Sequence, residues 1–179
     1  MIEYHPKCIS EGNHRFALEQ PGKNVLIIIG VNPSTADELH PDPTMKSVLR
    51  FVNECGYDGF VMLNLSSERS TAPSSMSNSL DTLMHKKNLE IITNIRGKYQ
   101  YADVLLAFGN NIQRRDYLKS CLIDIYQSYT SFSNNKWLCI GGDAYLTKNG
   151  HPRHPLYVSP KVRLSPFDID NYLRALSRM

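Results

Sequence analysis

The stretch "LIIIGVNPSTAD", Leu26–Asp37, decides how the rest of the chain is read. Its first half is a strand-sized apolar run without alternation, the pattern of a strand covered on both faces. Its second half turns sharply. Gly30 allows close backbone approach, and Pro33 locks its own φ while restricting Asn32 before it. The turn then offers the amide of Asn32 and the hydroxyls of Ser34 and Thr35 as donors and acceptors, beside the apolar Val31. A tight turn that stops a strand explains the same residues, so the turn alone does not assign a site. It is no phosphate-cradling P-loop, which needs a Gly-Lys-Ser/Thr ending.

Three more runs share the pattern of the first: Phe60–Leu63, Val104–Phe108 and Trp137–Ile140. Helical patterns lie between them. Asp42-Pro43 predicts an N-cap followed by proline at the first helical position, with Met45, Val48, Leu49 and Val52 on one face. Leu80, Leu83, Met84, Ile91, Ile92 and Ile95 mark a second helix, and Leu118, Cys121, Leu122 and Ile125 a third. Ser165-Pro166 is expected to open a last helix, with Asp168 at its third position and Ile169, Tyr172, Leu173 and Leu176 on its face. Strand alternating with helix is the grammar of an α/β domain. The expected fold is a three-layer α/β/α sandwich around a central, mainly parallel four-stranded sheet, with His14–Glu19 as an added edge strand. Residues 1–179 form a single domain in this reading, since no linker, repeat or low-complexity segment divides them.

Composition narrows the class. Hydrophobic content of 41% and charged content of 21% are those of a globular protein. No apolar run approaches membrane-spanning length, and "MIEYHPKCISEG" lacks a basic-then-apolar signal pattern, so a cytoplasmic protein is expected. Cys8, Cys55, Cys121 and Cys139 form no Cys-x-x-Cys pair, which argues against zinc ribbons, iron–sulfur motifs and a disulfide framework. Three of them fall in apolar-patterned segments and are expected as buried thiols. No metal or cofactor is expected. Net charge is only +3, yet Ala144–Phe167 holds no acidic residue while Lys148, Arg153, Lys161 and Arg163 are basic. A solvated basic face is the commoner meaning of such a run, and contact with nucleic-acid phosphates the functional one.

In open α/β sheets, ligands bind beyond the carboxyl ends of the strands. The segments there are Gly30–Asp37, Asn64–Thr71, Gly109–Arg115 and Gly141–Pro155. Asn64 closes an apolar run, where its amide can donate and accept at once, as reading a base edge requires. Arg69 can hold a phosphate or be solvated. Gly109 with Asn110 and Asn111 marks a turn. "TKNGHPRHPLYVSP", Thr147–Pro160, is stiffened by prolines and holds His151 and His154, either of which can donate to a developing anion. A zinc reading of His-x-x-His lacks two further ligands nearby. Tyr145 or Tyr157 can stack on a base, or simply pack.

"NPSTAD", "DPT", "GYDGFVMLNL" and "LTKNGHPRHPLY" resemble the bacterial and phage family catalogued as domain of unknown function 1643, over nearly the whole chain. The four strand-end segments, in this order, also resemble the uracil-DNA glycosylase superfamily. "VMLNLSSERST" is similar to the strand-end asparagine with downstream arginine of its thermophile-type branch, and "DVLLAFGNN" to the strand and glycine that follow. That resemblance implies a pocket for a nucleobase. Gly30, Asn32 and Pro33 would hold the base and water, Asn64 would read the base edge, and His154-Pro155 would contact a base carbonyl, with His151 as the competing candidate. Val31, Ser34, Thr35, Arg69, Gly109 and Tyr157 would complete the pocket, and Lys148, Arg153, Lys161 and Arg163 would hold phosphates. The chain departs from the superfamily in three ways. Its first motif holds no acidic residue to activate water, as in the mismatch-specific branch; its cysteines do not match the iron–sulfur branch; and Leu-Tyr follows His154-Pro155 where Ser-Pro is usual.

The expected function is therefore base recognition, with N-glycosyl hydrolysis of a damaged or modified base in nucleic acid, DNA foremost. A non-catalytic module binding nucleic acid or a nucleotide, and a hydrolase of free nucleosides or nucleotides, are the alternatives.

Overall fold

The computed structural model describes residues 2–130, 135–156, 158–159 and 161–177. The four apolar runs become β3 (Val25–Gly30), β4 (Gly59–Asn64), β5 (Asp103–Leu106) and β6 (Trp137–Ile140). They pair in parallel as the centre of the sheet, in the order β4-β3-β5-β6. The expectation of a four-stranded sheet is corrected at both edges. A hairpin of β1 (Lys7–Glu11) and β2 (His14–Gln20) adds antiparallel to β4, and β7 (Leu164–Pro166) adds antiparallel to β6. The result is one mixed seven-stranded sheet, β1-β2-β4-β3-β5-β6-β7. His14–Glu19 is thus a strand, but β1 lies outside it. The edge strand β1 was illegible because "KCISE" is short and half polar, and its residues are exposed or only half-buried.

Helices cover both faces because every central strand is apolar on both. Leu26, Ile28, Phe60, Met62 and Leu105 pack under α1 (Pro43–Glu54), whose Met45, Val48, Phe51 and Val52 are buried. Ile27, Ile29, Val61, Leu63, Val104 and Leu106 face the other way, against α2 (Thr82–Lys98), α3 (Tyr117–Thr130) and α4 (Ile169–Leu176). Successive strand residues point to opposite faces, so one continuous apolar run feeds two cores.

Helix starts follow local chemistry. Asp42 caps α1 by accepting from the Met45 N–H at 2.8 Å, with Pro43 at the first helical position. The last helix starts later than expected. Ser165 and Pro166 belong to β7, and Asp168 is the N-cap itself, accepting from the Asn171 N–H at 2.9 Å. Proline at the end of an edge strand costs no ladder bond, which is why the same dipeptide suits a strand here. Leu80 precedes α2, and Leu83 is exposed, so the apolar face of that helix is narrower than its sequence suggests. Cys121 and Cys139 are buried, whereas Cys8 is half-buried and Cys55 exposed, one buried thiol fewer than expected. Among the described residues no helix is long and apolar enough to cross a membrane.

Candidate functional site

Gly30 and Asn64 end neighbouring parallel strands and stand opposite each other in the ladder. A Cβ on Gly30 would lie 2.8 Å from the Asn64 Oδ1 and 2.7 Å from the Met62 Cε. Glycine is needed there because the space belongs to the asparagine side chain. Beyond the pair the two chain segments run side by side: the N–H groups of Leu65, Ser66 and Ser70 donate to the carbonyls of Gly30, Val31 and Pro33 at 2.8–2.9 Å. Asn32 joins them further, its Nδ2 donating to the carbonyls of Pro33 and Ser70 at 2.9 and 2.8 Å. Both amide hydrogens are thereby committed, so Oδ1, an acceptor, is what Asn32 can present to a ligand.

These segments wall a cavity of about 400 Å³, lined by Gly30, Val31, Asn32 and Ser34 from the first loop, Asn64 from β4, and His154 with Leu156 from the proline-rich loop. The volume sits at the small end of ligand sites. Asn64 is 1% exposed, and neither its Oδ1 nor its Nδ2 has a hydrogen-bond partner in the protein. Its backbone is held from behind, where the buried Asn88 donates to the Asn64 carbonyl at 3.1 Å. A buried amide that the protein leaves unpaired costs about 1–3 kcal/mol per group, so its partner is to be sought in what the cavity holds.

His154 is placed by a short turn. Gly109, with φ +59°, donates its N–H to the Pro152 carbonyl at 2.9 Å, and a Cβ on Gly109 would approach the His154 Cβ to 3.2 Å. The Leu156 N–H donates to the His154 Nδ1 at 3.2 Å. An amide can only donate, so Nδ1 carries a lone pair and the neutral ring carries its proton on Nε2. Burial pushes the His154 pKa below its ordinary value, with the Asp42 carboxylate acting in the opposite sense. His154 is thus a neutral N–H donor at neutral pH.

His151 has a different setting. It does not line the cavity and is fully buried, with Nδ1 2.8 Å from the Tyr172 hydroxyl of α4 and the two rings edge to face at 6.0 Å. Burial also lowers its pKa. Both histidines therefore titrate in the folded protein below the ordinary value of 6.5. The unfolded chain takes up protons first as pH falls, so the stability they contribute is complete above about 6.5 and declines as pH drops through that value. The guanidinium midpoint is expected to fall between pH 7.5 and 5 and to fall less in a His151→Phe variant; a midpoint flat over that range would refute the assignment.

The other expected residues divide. Pro33 and Pro155 are buried supports, and Thr35 is exposed. Arg69 donates to the Ser34 carbonyl at 3.4 Å, outside the lining. Arg153 donates to the Tyr145 carbonyl at 2.6 Å and stacks over its ring at 4.6 Å, while Arg163 pairs with Glu54 at 3.2 Å. Lys148 and Lys161 are exposed. Tyr157 lies outside the described residues.

The lining also includes residues to which the sequence reading gave no site role, among them Arg15, Asp42, Thr44 and Asn111. Arg15 sits in β2, is 2% exposed, and donates from Nη1 to the Ala36 carbonyl at 2.6 Å. Its signal was a charge inside an otherwise apolar strand, "HRFAL". Asp42 was legible only as a helix cap, a role it does fill. Its carboxylate nonetheless sits on the cavity wall, within reach of the charge on Arg15 and the ring of His154. Among the described residues no three His, Cys, Asp or Glu side chains gather as a metal site.

No curated protein and no solved structure matches the chain. One family model does, over residues 15–156, a span that contains every residue lining the cavity. The chain belongs to that family, described as protein of unknown function (DUF1643).

Proposed function

We propose that the cavity receives a nucleobase, and that the protein is of uracil-DNA glycosylase-like type, removing a damaged or modified base from nucleic acid. The observation that carries this reading is the unpaired amide of Asn64 on the cavity floor, a donor and an acceptor side by side. A base edge offers the complementary pair. The resemblance of the strand-end segments to that superfamily agrees with it. The base enters flipped from the stack, at a cost of a few kcal/mol. As the N-glycosyl bond breaks, its electron pair passes to the base, and the His154 Nε2–H donates a hydrogen bond to the carbonyl oxygen where charge collects. The Asn32 Oδ1 orients a water against the anomeric carbon. Asp42 supplies the carboxylate absent from the first loop and accepts that water's proton. Lys148 and Lys161, with Arg153 and Arg163 where they can exchange partners, meet the phosphates.

The engagement of Arg153 with Tyr145 and of Arg163 with Glu54 thins the surface available to a long nucleic acid. That favours, as a second reading, a small ligand: a sensor of a modified nucleotide or a hydrolase of free nucleosides. A panel of single- and double-stranded oligonucleotides carrying uracil, hypoxanthine, xanthine or modified pyrimidines separates the readings. Release of one base, measured as abasic sites, is expected. Salt-sensitive binding without release selects the sensor. Neither release nor binding rejects a nucleic-acid substrate.

A further inference from the structure

Asn64 is not the only unpaired group in the cavity wall. The guanidinium of Arg15 is buried, and its Nε has no hydrogen-bond partner. Among the described residues Arg15 forms no ion pair. Its one side-chain bond, to the Ala36 carbonyl, does not neutralise it. Burying a charge without a counterion costs several kcal/mol, and a fold that retains one does so for a partner of opposite sign. Arg69 sharpens the case. Its charge bears on Arg15, and its bond to the Ser34 carbonyl holds it against the same loop that walls the cavity. Asp42 is the acidic residue of the cavity wall; it bears on the Arg15 charge without forming an ion pair with it, and its carboxylate is already engaged as the cap of α1.

We propose that the Arg15 corner of the cavity is an anion subsite, and that the ligand is a nucleobase carrying a phosphate ester. The inference rests on the base reading above and extends it. One wall offers a neutral donor–acceptor pair, and another offers a fixed cation. A nucleotide presents that combination, whereas a free base or nucleoside leaves the cation unmet. Guanidinium suits a phosphate because its planar fork can bond two oxygens. The phosphate is either that of a free nucleoside monophosphate or the diester beside a flipped nucleotide. The chemistry at Arg15 is the same for both, and the cavity of about 400 Å³ has room for a base with its sugar and phosphate and little more.

The test is calorimetric titration of the full chain with nucleosides of uracil, cytosine, hypoxanthine and guanine, with their 5′-monophosphates, with inorganic phosphate, and with a single-stranded oligonucleotide holding the same base. At least one monophosphate, or the oligonucleotide, is expected to bind about tenfold or more tightly than its nucleoside, with inorganic phosphate competing. Arg15→Gln is expected to erase that advantage while leaving the nucleoside affinity within about twofold. Preference for the monophosphate identifies a free nucleotide, and preference for the oligonucleotide identifies the chain diester. Equal affinity for nucleoside and phosphorylated ligand overturns the anion subsite and leaves the base reading standing. Binding of inorganic phosphate alone, with no gain from any base, supports the subsite and rejects the base reading. Absence of all binding rejects both. If Arg15→Gln melts too early to titrate, the comparison within the unaltered protein still decides, and Arg15→Lys tests whether the fork geometry matters.

Discussion

Exchanging Asn64 for leucine is expected to weaken nucleobase binding by about 1–3 kcal/mol, roughly 5- to 150-fold in Kd, while raising the melting temperature. Two effects act in opposite directions. In the ligand-free protein the amide is buried with both polar atoms unpaired, and a side chain of similar volume without polar atoms relieves that cost. In the complex the same exchange leaves the donor and acceptor of the ligand facing methyl groups. Stability gained and binding lost together are the mark of a residue kept for function. Calorimetry of binding and of unfolding on the same preparation reads both. A variant that melts lower and binds normally would show Asn64 to be an ordinary strand-end residue. Gly30 belongs to the same unit: a Cβ there would press on both the Asn64 Oδ1 and the Met62 Cε, so the effects of Gly30→Ala and Asn64→Leu on stability should not add.

Replacing His154 with alanine is expected to lower base release by about 10²–10³-fold, the usual effect of losing one donor to a developing anion. The loss should fall on kcat, because the bond strengthens only as charge builds. The Leu156 N–H bond to Nδ1 fixes which nitrogen donates, and burial keeps the ring neutral, so the rate should hold steady from pH 7 upward as far as His154 is concerned. His151→Phe is the control. His151 is packed against Tyr172 and away from the cavity lining, so its loss should change the melting temperature and the acid slope more than the rate. The reverse pattern, with base release lost in His151→Phe and kept in His154→Ala, would assign the proposed donor role to the other ring.

Much of this site is legible in one dimension. A loop that must end a strand and turn sharply beside a cavity writes itself in glycine, asparagine and proline, because few residues tolerate those backbone demands. Gly30, Asn32, Asn64 and the two His-Pro pairs stand out for that reason. Choosing between the histidines was beyond the sequence. Both precede proline and both lie in the same loop, and only the packing of α4 shows that one ring meets Tyr172 while the other meets the cavity.

The α/β class, the four central strands and the helices between them are readable along the chain, since continuous apolar runs and capped amphipathic segments are local signals. Long-range packing set the remainder. It added edge strands whose residues are half polar, because an edge needs only one buried face and a backbone to pair with. It moved Ser165-Pro166 from helix to strand. It also brought Arg15 and Asp42, one from an antiparallel strand and one from a helix cap, to the cavity that Asn64 and His154 share. Nothing in the neighbours of either residue along the chain marks it for that cavity. Their meeting is set by the pairing of β2 onto β4 and by the angle at which α1 leaves the first loop, and those are properties of the folded sheet alone.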